Sequence, residues 1–174
     1  LDLYLRHGDF TFSADKTSCQ HALISSWIKS VKAHPEESHM ILAYTNKDVS
    51  SLNALAREQM RAHGLLKGED HVFEVFRERK EDFETIIEKQ DKSFAVGDKI
   101  IFLKNQHDLK NGMLGTIHDI KKHMLYVSLE GCGTEVMVNK NLYKYFDHGY
   151  APTIHKSQGS TVDRSFVFAT QSLF

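Results

Sequence analysis

The residues best suited to chemistry lie close together near the end of the chain: Thr153, His155, Lys156, Ser157, Gln158 and Gly159, within YAPTIHKSQGSTVD at residues 150–163. A threonine hydroxyl accepts from a free amide in the first turn of a helix, so Thr153 reads as an N-cap. Gly159 reads as the left-handed residue that ends the same short helix. Free N–H groups at a helix start, with a lysine beside them, suit a phosphate or a nucleic-acid backbone. A polar surface turn has the same composition and is the plainer reading of these residues by themselves. A second polar cluster, Thr45-Asn46-Lys47-Asp48, follows a continuous apolar run at 40–44. Such a run reads as a strand covered on both faces. Ligands of open α/β sheets bind at the loops after strand C-termini, which makes Thr45 and Asn46 further candidates for phosphate contact. A simple capping loop fits these residues equally well.

Both clusters need an α/β scaffold. Leu23, Ile24, Trp27, Ile28 and Val31 fall on one face of a helix from about 15 or 16 to 33, which Pro35 stops. Trp27 sits mid-stripe and reads as a core anchor, not a base-stacking platform. A second helix is expected over 49–63, with Asp48 as N-cap, Gly64 as C-cap and Val49, Leu52, Ala56 and Met60 inward. Strand, loop and helix make half of a βαβ unit, and residues 164–169 read as the next parallel strand. Residues 1–6 read as the tail of a helix and 10–12 as a short strand.

From His71 the hydrophobic period changes to two. Val72, Phe73, Val75 and Phe76 are strand-like, 78–82 reads as a charged turn, and 83–88 as a return strand. FAVGDKIIFLKN, NGMLGTIHDI, MLYVSLEG and TEVMVN follow as short strands between Gly-containing turns. This spacing predicts a small β-barrel over about 72–145, with Gly112 and Gly115 at tight turns or bulges. Lys99, Lys104 and Lys110 flank its first long strand. They are weaker candidates for nucleic-acid contact, since isolated strand lysines are usually a solvated face that protects sheet edges.

Composition bounds the reading. The 174 residues carry 22 basic and 23 acidic side chains, so any nucleic-acid contact must come from a local patch. The two cysteines, Cys19 and Cys132, lack zinc-ligand spacing and read as buried free thiols in a reducing cytoplasm. The histidines are scattered, so no metal site is expected; His63, His71, His118 and His123 read as surface residues. No apolar run is long enough to cross a membrane.

With the motifs in view, T-x-H-K-S-Q-G plus a small residue and then Asp resembles motif V of superfamily 1 helicases of the RecD-like branch. The fuller YAPTIHKSQGSTVDRSFVFA is similar to the helicase part of TraA-type conjugative relaxases, and ILAYTNKDVSSLN is similar to the motif IV region of the same family. The G-D-x-I-x-F…N-G-x-x-G-x-I spacing resembles the SH3-like barrels that such proteins carry before motif V. The resemblance implies a partial RecA-like domain 2 at 1–70 and 147–174, interrupted by an SH3-like barrel at 71–146. It implies that Thr45, Asn46, Thr153, His155, Lys156 and Ser157 touch the backbone of single-stranded DNA. Gln158 and Gly159 would couple that contact to the nucleotide site. ATP and Mg²⁺ are implied for the parent protein only.

No G-x-x-x-x-G-K-[ST] sequence is present, nor the acidic Mg²⁺-binding motif of a first RecA-like domain, nor a relaxase tyrosine with its His triad. The chain begins at Leu1 and reads as a fragment. The expectation is therefore the DNA-gripping half of an ATP-dependent 5′-to-3′ helicase motor within a conjugative relaxase, whose partners are single-stranded DNA and the remaining domains of its parent. The alternatives are a non-catalytic module from a split gene, binding single-stranded nucleic acid or protein, and a structural domain whose barrel docks its neighbours.

Overall fold

The computed structural model describes residues 15–131, 133–157 and 161–170. They form a mixed α/β chain in two compact units, one from residues up to Gln59 together with those from Tyr150 onward, the other Met60–Gly149.

In the first unit, helix α1 (Lys16–Ala33) starts where Asp15 accepts from the Ser18 amide at 2.9 Å and hydroxyl at 2.6 Å. Ile24, Trp27 and Ile28 form its buried stripe, and Trp27 meets the Tyr150 ring edge-on at 5.8 Å between centroids. Trp27 is the expected core anchor. Cys19 is half-buried, not buried as expected. Strand β1 (His39–Ala43) ends one residue earlier than predicted, leaving Tyr44 outside it. Helix α2 (Asn46–Ala62) begins earlier than the predicted 49. Thr45, not Asp48, occupies the cap: its carbonyl accepts from Val49 at 3.0 Å and its hydroxyl from the Asp48 amide at 3.1 Å. Asp48 lies in the first turn, where its charge favours the helix dipole. The last strand of the chain, Arg164–Phe168, pairs parallel with β1, Ile41 opposite Phe166, as a second strand of an α/β sheet must.

The second unit is antiparallel. A long hairpin joins β2 (Lys67–Glu81) to β3 (Glu84–Val96). Its turn is Asp82-Phe83, with Asp82 at φ 51°, so the expected charged turn at 78–82 is mostly strand. The period-two alternation was broken there by exposed charges, because the distal hairpin has no core face to fill. Strands β4 (Lys99–Phe102), β5 (Leu114–Lys121), β6 (Met124–Leu129), β7 (Glu135–Asn139) and β8 (Phe146–His148) make a five-stranded sheet ordered β7-β6-β5-β4-β8. Among the described residues the outer strands β7 and β8 do not pair with each other, so the predicted closed barrel is not found. One core, including Phe73, Phe94, Phe102, Ile117, Leu125, Val127 and Phe146, joins the hairpin base to this sheet.

The two glycines expected at turns or bulges differ in outcome. Gly112, at φ 90°, is in a tight turn as expected. Gly115 lies inside β5, where a Cβ would stand 2.5 Å from Val127 Cγ1, and the register shift of that strand comes later, between Ile117 and Asp119. Arg164–Phe168 completes the strand series as β9.

Asp147 is buried in β8 yet ionised. Burial works against its charge, but Lys92 Nζ at 2.5 Å and Arg77 Nη2 at 2.6 Å outweigh it and hold its pKa below the usual carboxylate range. Burial of His148, whose ring is tilted against that of Phe94 at 4.5 Å between centroids, lowers its pKa despite the opposing pull of Asp98 and Asp147. A depressed folded-state histidine pKa means the unfolded chain takes up the proton first, near its ordinary value of about 6.5. Stability is complete above that pH and is lost as pH falls toward the folded value. The urea midpoint is therefore expected to drop between pH 7.5 and 5.5, with part of the drop removed in His148→Asn. Gly149→Ala should also destabilise this unit, by about 1–3 kcal/mol, because its Cβ would lie 2.6 Å from the Ile100 carbonyl carbon and backbone cannot yield as a side chain can. Urea unfolding at pH 7.5 measures it.

Candidate nucleic-acid interface

The two polar clusters of the sequence meet at the C-terminal end of β1. Thr153 bridges Ala43 in parallel register, and the Ile154 amide donates to the Ala43 carbonyl at 3.0 Å. One residue beyond Ala43 the chain enters Tyr44, Thr45 and α2; one residue beyond Ile154 it enters His155 and Lys156. The strand end thus sets both clusters side by side.

Buried Asn53 of α2 holds this arrangement. Its amide nitrogen donates to the carbonyls of Val49 at 2.9 Å and Ala151 at 2.8 Å, and its side-chain oxygen accepts from the Ala151 amide at 3.0 Å. The Ile41 amide adds a bond to the Tyr150 carbonyl at 3.0 Å. Asn53 was missed in the sequence, although a signal existed: it is a polar residue on the apolar stripe of Val49, Leu52 and Ala56. A buried amide that satisfies three backbone groups positions the segment; it does not face a ligand.

Each candidate side chain has a definite situation. The Thr45 hydroxyl donates to Asp48 Oδ2 at 2.7 Å while capping α2, so it is engaged within the protein. Burial works against ionised Asp48, but Lys16 at 2.5 Å and Thr45 more than compensate and lower its pKa. Asn46 is exposed on the first residue of α2. Thr153 is nearly buried; its carbonyl accepts from Lys156 at 2.9 Å and Ser157 at 3.1 Å, and its hydroxyl from the Lys156 amide at 3.3 Å. The Ser157 hydroxyl donates to the Ile154 carbonyl at 2.9 Å. Residues 154–157 therefore make one capped turn, not the short helix expected, with His155 and Lys156 on its exposed side. Gln158 and Gly159 lie outside the described residues.

Asp163, the acidic end of the motif, works at the opposite end of β1. Its carboxylate accepts from the Ser38 amide and hydroxyl, both at 2.7 Å, and its own amide donates to the Ser38 hydroxyl at 2.9 Å. Arg164 pairs with Glu37 alongside. In the second unit Lys99 pairs with Glu130 at 2.8 Å. Lys104 pairs with Glu78 at 2.6 Å, which raises its pKa, and lies 4.4 Å from the Tyr145 ring centre. Lys110 is exposed. Among the described residues there is no group of three or more His, Cys, Asp or Glu able to hold a metal ion. No helix among them is long and apolar enough to cross a membrane.

The fold resembles part of the Pif1 helicase structures. The Pif1 helicase from Bacteroides in complex with ADP-AlF3 and single-stranded DNA superposes with a TM-score of 0.55 over 86% of this chain and 43% of that one, at 15% identity. Bacteroides Pif1 bound to single-stranded DNA superposes with a TM-score of 0.52 over 76% of this chain and 35% of that one, at 19% identity. In sequence the chain is homologous to a segment of the TraA conjugal transfer proteins. It is 38% identical to conjugal transfer protein TraA of Agrobacterium fabrum and 34% identical to a probable TraA of Sinorhizobium fredii, in each case over 99% of this chain and 15% of the relative. The chain thus spans about a seventh of the length of these relatives. No protein-family model matches it.

Asn53→Ala is expected to strand the amide and carbonyl of Ala151, at a cost of about 1–3 kcal/mol. Hydrogen exchange should then show the Ala151 amide losing protection before the β5 and β6 amides do, and uniform loss of protection throughout the chain would contradict this.

Proposed function

We propose that the chain is the DNA-backbone-gripping part of an ATP-dependent 5′-to-3′ DNA helicase motor, within a conjugal transfer relaxase. The observation that carries this reading is the meeting of residues 45–46 and 153–157 at the C-terminal end of β1, where open α/β sheets bind ligands. The homology to TraA proteins and the Pif1-like fold support it, since Pif1 has been captured with single-stranded DNA and with ADP-AlF3.

On this reading, residues 1–70 and 147–174 are a second RecA-like domain of the RecD-like branch, and 71–146 an SH3-like insertion whose sheet is left open. The side chains of Asn46, His155 and Lys156 take the phosphates. Thr45, Thr153 and Ser157 shape the backbone that presents them. Gln158 and Gly159 face the nucleotide. ATP and Mg²⁺ are held chiefly by the parent's other RecA-like domain, with which this one works in the cytoplasm. Lys99 and Lys104, each paired with a carboxylate, and Lys110 are secondary contacts along the insertion.

The isolated chain is expected to bind single-stranded DNA weakly, with a logarithmic salt slope of roughly −0.7 per phosphate neutralised. Lys156→Ala with Thr153→Ala should weaken binding and flatten that slope in fluorescence anisotropy. Binding indifferent to salt or to both substitutions would sink the reading. With no P-loop in its sequence, the chain alone should release no phosphate from ATP in a coupled assay.

A further inference from the structure

Tyr44 is an exposed aromatic residue at the end of β1. It follows the last residue of β1 and is 47% exposed; among the described residues of the first unit, Tyr44 and Val167 are the large apolar side chains left open to solvent. Its backbone is fixed on both sides, by the Ala43–Thr153 bridge before it and by the Thr45 cap after it. Its ring lies 6.3 Å from that of His155, tilted by 50°. At that tilt the two rings leave no parallel slot between them. His155 stands beside the tyrosine, and nearly half of the tyrosine's surface remains open to solvent. Asn46 and Lys47 are exposed close by in sequence and exposed Lys156 adjoins His155, so the ring stands at the edge of a polar, cation-bearing surface.

An exposed aromatic face beside phosphate-binding groups is what single-strand binding proteins use to stack bases, with little dependence on sequence. We propose that Tyr44 is a base-stacking platform, on whose open face an unpaired nucleobase of the bound strand lies while the Asn46 and Lys156 side of the site holds the phosphates. This rests on the single-strand-binding reading above and adds to it a contact with the bases. Stacking on a neutral ring exchanges no counterion, so it adds affinity without adding to the salt slope.

The test uses the whole 174-residue chain. Anisotropy is measured with an oligothymidylate and with an abasic oligomer of the same phosphate count, for the unmodified chain, Tyr44→Phe, Tyr44→Ala and Lys156→Ala, each checked for folding by circular dichroism. Tyr44→Ala should weaken oligothymidylate binding about ten-fold, consistent with the loss of one base–aromatic stack, with an unchanged salt slope. It should leave abasic binding as it was, and Tyr44→Phe should bind thymidylate like the unmodified chain. Lys156→Ala should flatten the salt slope with both oligomers. If Tyr44→Ala binds thymidylate normally while Lys156→Ala flattens the slope, the stacking proposal is overturned and backbone gripping survives. If the unmodified chain binds neither oligomer, both readings fall.

Discussion

Parallel pairing of β1 with β9 is the constraint on which the first unit depends. Its partners are far apart in sequence, His39 against Arg164, so everything between them must leave and return to one place. The return is secured at both ends of the strand: Ser38 and Glu37 receive Asp163 and Arg164 at one end, and Ala43 receives Thr153 and Ile154 at the other. With those anchors made, a long excursion is cheap, because each doubling of a flexible loop adds only about 0.6 kcal/mol of closure entropy. A folded insertion such as Met60–Gly149 is therefore tolerable in the middle of a βαβ crossover.

Inside that insertion the corresponding constraint is electrostatic. Asp147 would be costly alone in the core, and a lysine and an arginine from the two strands of the hairpin both reach it. Removing one partner leaves a buried charge half-compensated. Beyond Arg77 the tie to the sheet side is the exposed Glu78–Lys104 pair, which solvent screens. Phe83 at its turn and Ile87 are exposed, and cross-strand pairs such as Arg79 with Glu88 are screened surface contacts. Charged residues of its distal part, among them Arg79, Lys80, Glu81 and Glu88, discourage pairing with another strand.

Much of this was legible in the sequence. The apolar run before Thr45 and the stripe around Trp27 gave β1 and α1 because both are patterns of burial. The period change at His71 located the antiparallel region for the same reason. The caps were less legible: Thr45 and Asp48 are both good cap residues three apart, and only the hydrogen bonds decide which one closes the helix. The open sheet could not be read from spacing, since a barrel and an open meander share the same alternation and differ only in whether β7 and β8 find each other. Asn53 and Tyr44 escaped attention because each is a residue of the wrong polarity for its place, polar inside and aromatic outside, and such exceptions acquire meaning only from their neighbours.

The anchoring of β1 at both ends has a mechanical consequence. Tension applied to the turn at 153–157 along the strand axis reaches β1 through the Ile154–Ala43 bond and α2 through Asn53. The hydrogen bonds joining β1 to β9 lie across that axis, so they are sheared together and do not open one after another. Slippage would require several bonds to break at once. A load applied at this turn would be resisted by both paired strands together and shared with α2.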